Sequence, residues 1–293
     1  PISKVLLLGI PSAAAIGGMG TIIGSAPNAI AVGALETINI KVSFFEWMLI
    51  GVPVALLLTY LFWKLLIKKY KIKGETLSLD FLNTTEEVSE FATEERIKKR
   101  IVTLVLATTL LLWLTSQWTK IPVAAVSGIP IVALTMLGII DADDVRALPW
   151  DTLMLVAGGL ALGLAIQEQG IAEYFVSKIS NFEVNAYVLL LIFALASTLF
   201  SNFMSNTAAT TILIPIAISL LALTPEFAPE VFPIVIGLCA SCALLLPVST
   251  PPNAIAFSTG MLKQADFRLG GIFIGLVGPI VIILWTLLLL LLF

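Results

Sequence analysis

Long apolar runs occupy most of the chain, and they set the first constraint on its fold. They fall at about 2–23, 44–67, 101–118, 121–140, 152–166, 185–223, 231–260 and 269–293. A helix needs about 20 apolar residues to cross the hydrocarbon core of a bilayer, and several runs reach that length. They are rich in Leu, Ile, Ala and Gly and lack the period-two alternation of a membrane barrel strand. Hydrophobic residues make up 59% of the 293, charged residues only 12%, and mean hydropathy is +1.05, far from the balance of a soluble domain. The predicted fold class is an all-α polytopic membrane protein whose main surrounding partner is the lipid bilayer. A net charge of −3 without a basic stripe gives nucleic acid no footing.

Basic residues set the orientation. Lys64, Lys68, Lys69, Lys71, Lys73, Arg96, Lys98, Lys99 and Arg100 gather in one connector, which marks it as cytoplasmic. Alternating sides from there also places Lys4, Arg146, Lys263 and Arg268 inside, leaving Lys41, Lys120 and Lys178 outside. The expected organisation is 1–69 as the end of a first repeat, with a broken helix at 2–40 and a span at 44–69. A cytoplasmic connector follows at 70–100. Residues 101–293 then form a second repeat: spans 101–118, 121–140 and 152–166, an interfacial helix 168–182, a re-entrant hairpin 185–223, a broken helix 231–262 and a last span 269–293. The hairpin is expected because the arms on either side of Ser201–Thr207 are each shorter than a crossing helix. Pro1 opens directly on an apolar run with neither an initiator Met nor a signal peptide, so a preceding N-terminal part is expected.

An internal repeat sharpens this plan. The segment GSAPNAIAVG at 24–33 matches STPPNAIAFS at 249–258, aligning Pro27-Asn28-Ala29-Ile30-Ala31 with Pro252-Asn253-Ala254-Ile255-Ala256. In the predicted topology one copy runs outward and the other inward, which is an inverted repeat. Gly24 and Pro27, and Pro251 and Pro252, would interrupt helices within the hydrocarbon and free backbone groups there. Irregular backbone at that depth belongs to protein-lined cavities, as in transporters with broken helices.

From Val184 to Leu262 the charged residues are Glu226 and Glu230 alone, both in one loop. An anion in that region would be held by helix N-termini, hydroxyls and amides, with a bound cation supplying positive charge. Hard cations prefer oxygen, which Ser201, Ser205, Asn206, Thr207, Ser249 and Thr250 offer. The chain has no His, which excludes a Ser-His couple, and the apolar runs hold no acid pair for aspartyl chemistry, so no enzyme is expected. Cys239 and Cys242 lack partners that would complete a metal site and fit as small residues of a packed helix. A channel or a structural membrane protein stays open as the alternative class.

The residues SNT at 205–207, followed by LPVSTPPNAIAFSTG, together with the earlier IGGMGTIIGSAPNAIA, resemble the divalent anion:sodium symporter (INDY-like) family over essentially the whole chain. The resemblance implies sodium-coupled uptake of dicarboxylates, citrate or sulfate by an elevator movement, in a homodimer, in the cell membrane. It makes Ser205, Asn206, Thr207, Ser25, Thr250 and Pro251 substrate ligands. Ser201, Ser205, Asn206, Ser249 and Gly24 become sodium ligands, with Asn28, Asn253, Pro27 and Pro252 in support. No cofactor beyond the coupling Na⁺ is implied. An exchanger using the same cradle without sodium is the nearest alternative. Two departures stand out: a first Ser-Asn-Thr hairpin is absent from this sequence, and Ala26 stands opposite Pro251.

Overall fold

The computed structural model describes residues 2–72, 92–119, 121–148, 150, 185–221 and 224–292, with isolated helical positions between 154 and 174. Among the described residues every regular element is helical. The predicted span 152–166 and interfacial helix 168–182 lie for the most part outside the described residues, as do 73–91 of the connector. Among the described residues four helices are long and apolar enough to cross a membrane: Ile2–Gly20, Phe44–Tyr70, Ala186–Phe203 and Gln264–Leu289. The chain forms two compact units, one of residues 1–42, 46–72 and 150–293, the other of 43–45 and 73–149.

The larger unit opens with α1 (Ile2–Gly17), which tightens into a single 3₁₀ turn at Gly18–Gly20. The chain breaks there and restarts as α2 (Ala26–Thr37), with Pro27 in its first turn, where a missing N–H costs nothing. Helix α3 (Phe44–Tyr70) carries Glu46 in its first turn and Lys68 and Lys69 in its last, each sign suited to the adjacent end of the helix dipole.

In the smaller unit, α4 (Ala92–Leu114) starts nine residues before the apolar run at 101, because the charged segment ahead of it has opposite charges at helical spacing, Glu95 to Lys99. After the short α5 (Ser116–Thr119) comes α6 (Val123–Met136). Where the run 121–140 predicts a full-length span, α6 has 14 residues. Gly138 at φ +62° ends it, with its N–H donating to Thr135 O and that of Ile139 to Leu134 O. Helix α4 packs on α6, Phe44 stacks on Trp113 at 5.3 Å, and Asp141 caps α7 (Ala142–Arg146) through a reciprocal capping box with Asp144.

The remaining helices complete the larger unit. They are α8 (Ala186–Phe203), α9 (Asn206–Ser219), α10 (Val231–Ala240), α11 (Pro251–Ser258) and α12 (Gln264–Leu292). Helix α12 begins five residues before the predicted span. The Lys263 N–H donates to Asp266 Oδ2 at 2.8 Å, and Lys4 Nζ on α1 bonds the same carboxylate at 3.0 Å. All ten residues of α10 are buried, as a helix apolar on every side requires.

Packing relates the two broken helices. Helix α2, the second half of one, lies on α10, the first half of the other, and α1 lies on α11. First halves thus meet second halves. Each break is backed by a long helix with a glycine at the contact. A Cβ on Gly51 of α3 would run into the Met19 carbonyl, and one on Gly271 of α12 into the Leu245 backbone. Trp47 Nε1 adds a bond to Met19 O at 2.9 Å.

Candidate functional site

The site is built from two helix breaks and one turn. Each ends in a hydroxyl residue that starts a helix. Ser25, Ser205 and Thr250 are the N-caps of α2, α9 and α11, all with extended backbone (ψ 140°, 149° and 147°). Ser205 Oγ accepts from the Ala208 N–H at 3.1 Å and Thr250 Oγ1 from the Asn253 N–H at 3.4 Å, while Ser25 makes no side-chain cap bond. The first-turn amides of such helices carry partial positive charge and suit an anion. Three of the residues expected to meet substrate are therefore helix starts, and Pro251 is the first residue of α11.

The first break closes on itself. Asn28, in the first turn of α2, donates through Nδ2 to Gly18 O and Thr21 O, both at 2.8 Å. The Gly24 N–H donates to Thr21 O at 3.1 Å. Gly24 must be glycine, since a Cβ would sit 2.5 Å from Gly18 O and 2.9 Å from Thr21 Oγ1. Pro27 and Ala31 then pack on Gly237 of α10, where a Cβ would lie 3.2 Å from Pro27 O.

The second break has the same backbone turn 225 positions on: the Ser249 N–H donates to Leu246 O at 3.2 Å. Its side-chain closure comes from elsewhere. Asn202, on the last turn of α8, accepts through Oδ1 from the Leu245 N–H at 2.8 Å and from Ser249 Oγ at 3.2 Å. Ser249 Oγ in turn accepts from the Leu246 N–H at 3.2 Å. Asn253, the counterpart of Asn28, is 1% exposed, and neither amide atom has a partner.

The hairpin turn is tighter than its sequence predicts. Helix α8 continues through Ser201 and Asn202 to Phe203, leaving Met204 and Ser205 to reverse the chain. Ser201 Oγ and Asn206 Oδ1 are buried without a partner. A buried polar atom left unpaired costs about 1–3 kcal/mol, so these oxygens, with those of Asn28 and Asn253, are available to a ligand. Oxygen is the donor type that a hard cation prefers; the Asn253 Nδ2, also without a partner, is a hydrogen-bond donor instead. No group of three His, Cys, Asp or Glu suited to a transition metal occurs among the described residues. Thr207 is buried at 8% exposure, and its carbonyl accepts from Thr210 Oγ1 at 3.0 Å.

The structure thus joins Ser201, through its neighbour Asn202, to Ser249, and places Ser205, Asn206 and Thr207 at the start of α9, which packs on both α2 and α10. Gly24, Ser25 and Pro27 join this assembly at the start of α2, while Thr250, Pro251 and Pro252 start α11, which packs on α1. Asn202 is the residue that sequence reasoning missed. Its signal was the doubled Ser-Asn pair, 201–202 and 205–206.

Two helix breaks and a helical turn, each ending in a hydroxyl residue that starts a helix, give this apolar fold a polar site among its described residues. The sodium:sulfate symporter transmembrane region family matches residues 1–292, and the chain belongs to that family; it is a multi-pass membrane protein. It is 30% identical over 303 residues to the sodium-dependent dicarboxylate transporter SdcS of Staphylococcus saprophyticus, covering 96% of this chain and 58% of that protein. An uncharacterized transporter of Methanocaldococcus jannaschii is 31% identical, covering 97% and 63%. One of Haemophilus influenzae is 32% identical, covering 94% and 61%. The chain spans about three fifths of the length of these relatives.

Proposed function

We propose that this protein couples the movement of Na⁺ to that of a small dianion, a dicarboxylate of the succinate, malate or fumarate type. The observation that carries the reading is the pair of buried, unpartnered oxygens at Ser201 and Asn206, on either side of the turn whose Asn202 bonds the second break, in a stretch with no basic side chain. Sodium fits the oxygens of Ser201, Ser205 and Asn206 and the backbone carbonyl of Ser249 in this half, and Gly24 marks the corresponding position of the first. The dianion fits the helix starts at Ser25, Ser205 and Thr250, with Asn206, Thr207 and Pro251 beside them. With no Lys or Arg to offset two negative charges, the cation provides the offset, and the two ligands bind better together than apart.

The name of the Staphylococcus relative favours a dicarboxylate, and the family description favours sulfate as the second reading. Helix α8, against the expectation from its arm length, is long enough to cross, but α9 with 14 residues is not; the pair is on that ground still assigned as a re-entrant hairpin, and the PNAIA repeat as inverted. The larger unit would move as an elevator against a scaffold in a homodimer.

Uptake of labelled succinate by the full chain in proteoliposomes, with sodium or choline outside, tests the proposal. Sodium-driven uptake inhibited by cold succinate is expected. Sodium-independent exchange would overturn the coupling, and inhibition by sulfate but not succinate would change the substrate. Asn206→Ala is expected to abolish sodium-dependent binding with the fold intact.

A further inference from the structure

We propose that Asn202 is a positioning residue that locks the hairpin to the second break, so that the cation ligands on the two elements come together only when this lock is made. The inference rests on the sodium-coupled reading above. Asn202 is 6% exposed on the last turn of α8. Its Nδ2 donates to Thr198 O at 2.8 Å within its own helix. That bond fixes which way the amide faces: Oδ1 points at the Leu245 N–H, a group that can only donate, and at Ser249 Oγ. The Ser249 hydroxyl also lies 3.5 Å from the Asn202 carbonyl.

Asn202 is the last rung of a ladder. Ser197 Oγ donates to Ile236 O at 2.7 Å and Thr198 Oγ1 to Cys239 O at 2.9 Å. These rungs fasten α8 to the last turns of α10, helix to helix. Only the Asn202 rung reaches past the end of α10 into irregular backbone, where no helical bonds hold Leu245 and Leu246 in place. Its neighbour Ser201 carries a buried hydroxyl with no partner, so the group that holds the break sits beside a group free to bind. The first break is closed by Asn28 from within its own helix, and Trp47 of α3 adds one bond to Met19 O.

The test is the sodium dependence of succinate uptake by the full chain in proteoliposomes. Asn202→Ala is expected to raise the half-saturating sodium concentration about tenfold or more, the size of losing a buried hydrogen-bonded pair, while the rate at saturating sodium falls far less. In Asn202→Asp a protonated carboxyl keeps both acceptor contacts and the donor to Thr198 O, so at a pH low enough to keep it neutral the value should return to within about threefold of wild type. Ser249→Ala alone should cost about threefold and add nothing on top of Asn202→Ala, since both remove one coupling. In sodium-free buffer, hydrogen exchange should speed up over 243–250 in Asn202→Ala and stay unchanged over 18–25. If Asn202→Ala does not fold, Ser249→Ala and Asn202→Asp carry the test. Unchanged sodium dependence in the variants, with sodium-driven uptake in wild type, overturns the lock alone. Multiplying effects in the double variant also overturn it. Sodium-independent uptake by wild type overturns the sodium reading and the lock with it.

Discussion

The two Pro-Asn-Ala-Ile-Ala segments restart helices from breaks that share a backbone turn but are closed in different ways. At the first, Asn28 reaches back from α2 to two carbonyls of the break. At the second, Asn253 reaches nothing, and Asn202 enters from α8. Position 24 is a glycine with no room for a Cβ, whereas its counterpart 249 is a serine whose hydroxyl is the point of attachment. A repeated sequence has thus produced one break closed mainly by its own asparagine, with Trp47 adding a bond to Met19 O, and one whose side-chain closure comes from a neighbouring helix. The second break is therefore tied to the hairpin through Asn202, and the first has no bond of that kind from it among the described residues.

The largest effect is expected where the first break is damaged. Asn28→Ala leaves two carbonyls without their 2.8 Å partner and should destabilise the protein by about 2–4 kcal/mol, read as a fall in thermal midpoint in detergent. A fall no larger than that of Asn253→Ala would erase the distinction between the breaks. Next comes Gly24→Ala, which drives a Cβ toward Gly18 O and should cost about 1–3 kcal/mol as the backbone shifts. Gly24→Ser, which copies position 249 into the first break, should be at least as costly. If the first break instead accepts the serine without loss, the two breaks are interchangeable.

How much of this was legible beforehand follows from where each contact originates. Helix existence, the two breaks and the polar turn came from local signals: apolar length, the PNAIA repeat, and Ser-Asn-Thr in a run without charge. The closure of the first break is also local, spanning ten residues from Asn28 to Gly18. The bond from Asn202 to Leu245 spans 43 residues, and nothing in composition or period specifies it. The shortened α6 turned on Gly138 taking a left-handed conformation, which a hydropathy run cannot show. The early start of α12 turned on Asp266 finding both Lys263 and Lys4. The lone amide of Asn253 is visible only against its counterpart, because the same five letters surround both asparagines.

Asn253 gives the smallest stability effect and the most pointed use of the comparison. Its amide is buried and unpartnered, so removing it in sodium-free buffer takes away desolvation cost along with packing. Asn253→Leu, close in volume, should change the midpoint by less than about 0.5 kcal/mol or raise stability slightly. Added sodium and succinate stabilise the wild type by mass action. If the amide is satisfied only in the ligand-bound state, that added stabilisation should shrink in the variant while its ligand-free midpoint holds. Thermal unfolding with and without the two ligands separates the terms. A loss like that of Asn28→Ala without ligand would mean that Asn253 holds its break as Asn28 does. A full ligand-induced shift in Asn253→Leu would mean that its amide serves neither the break nor the ligand.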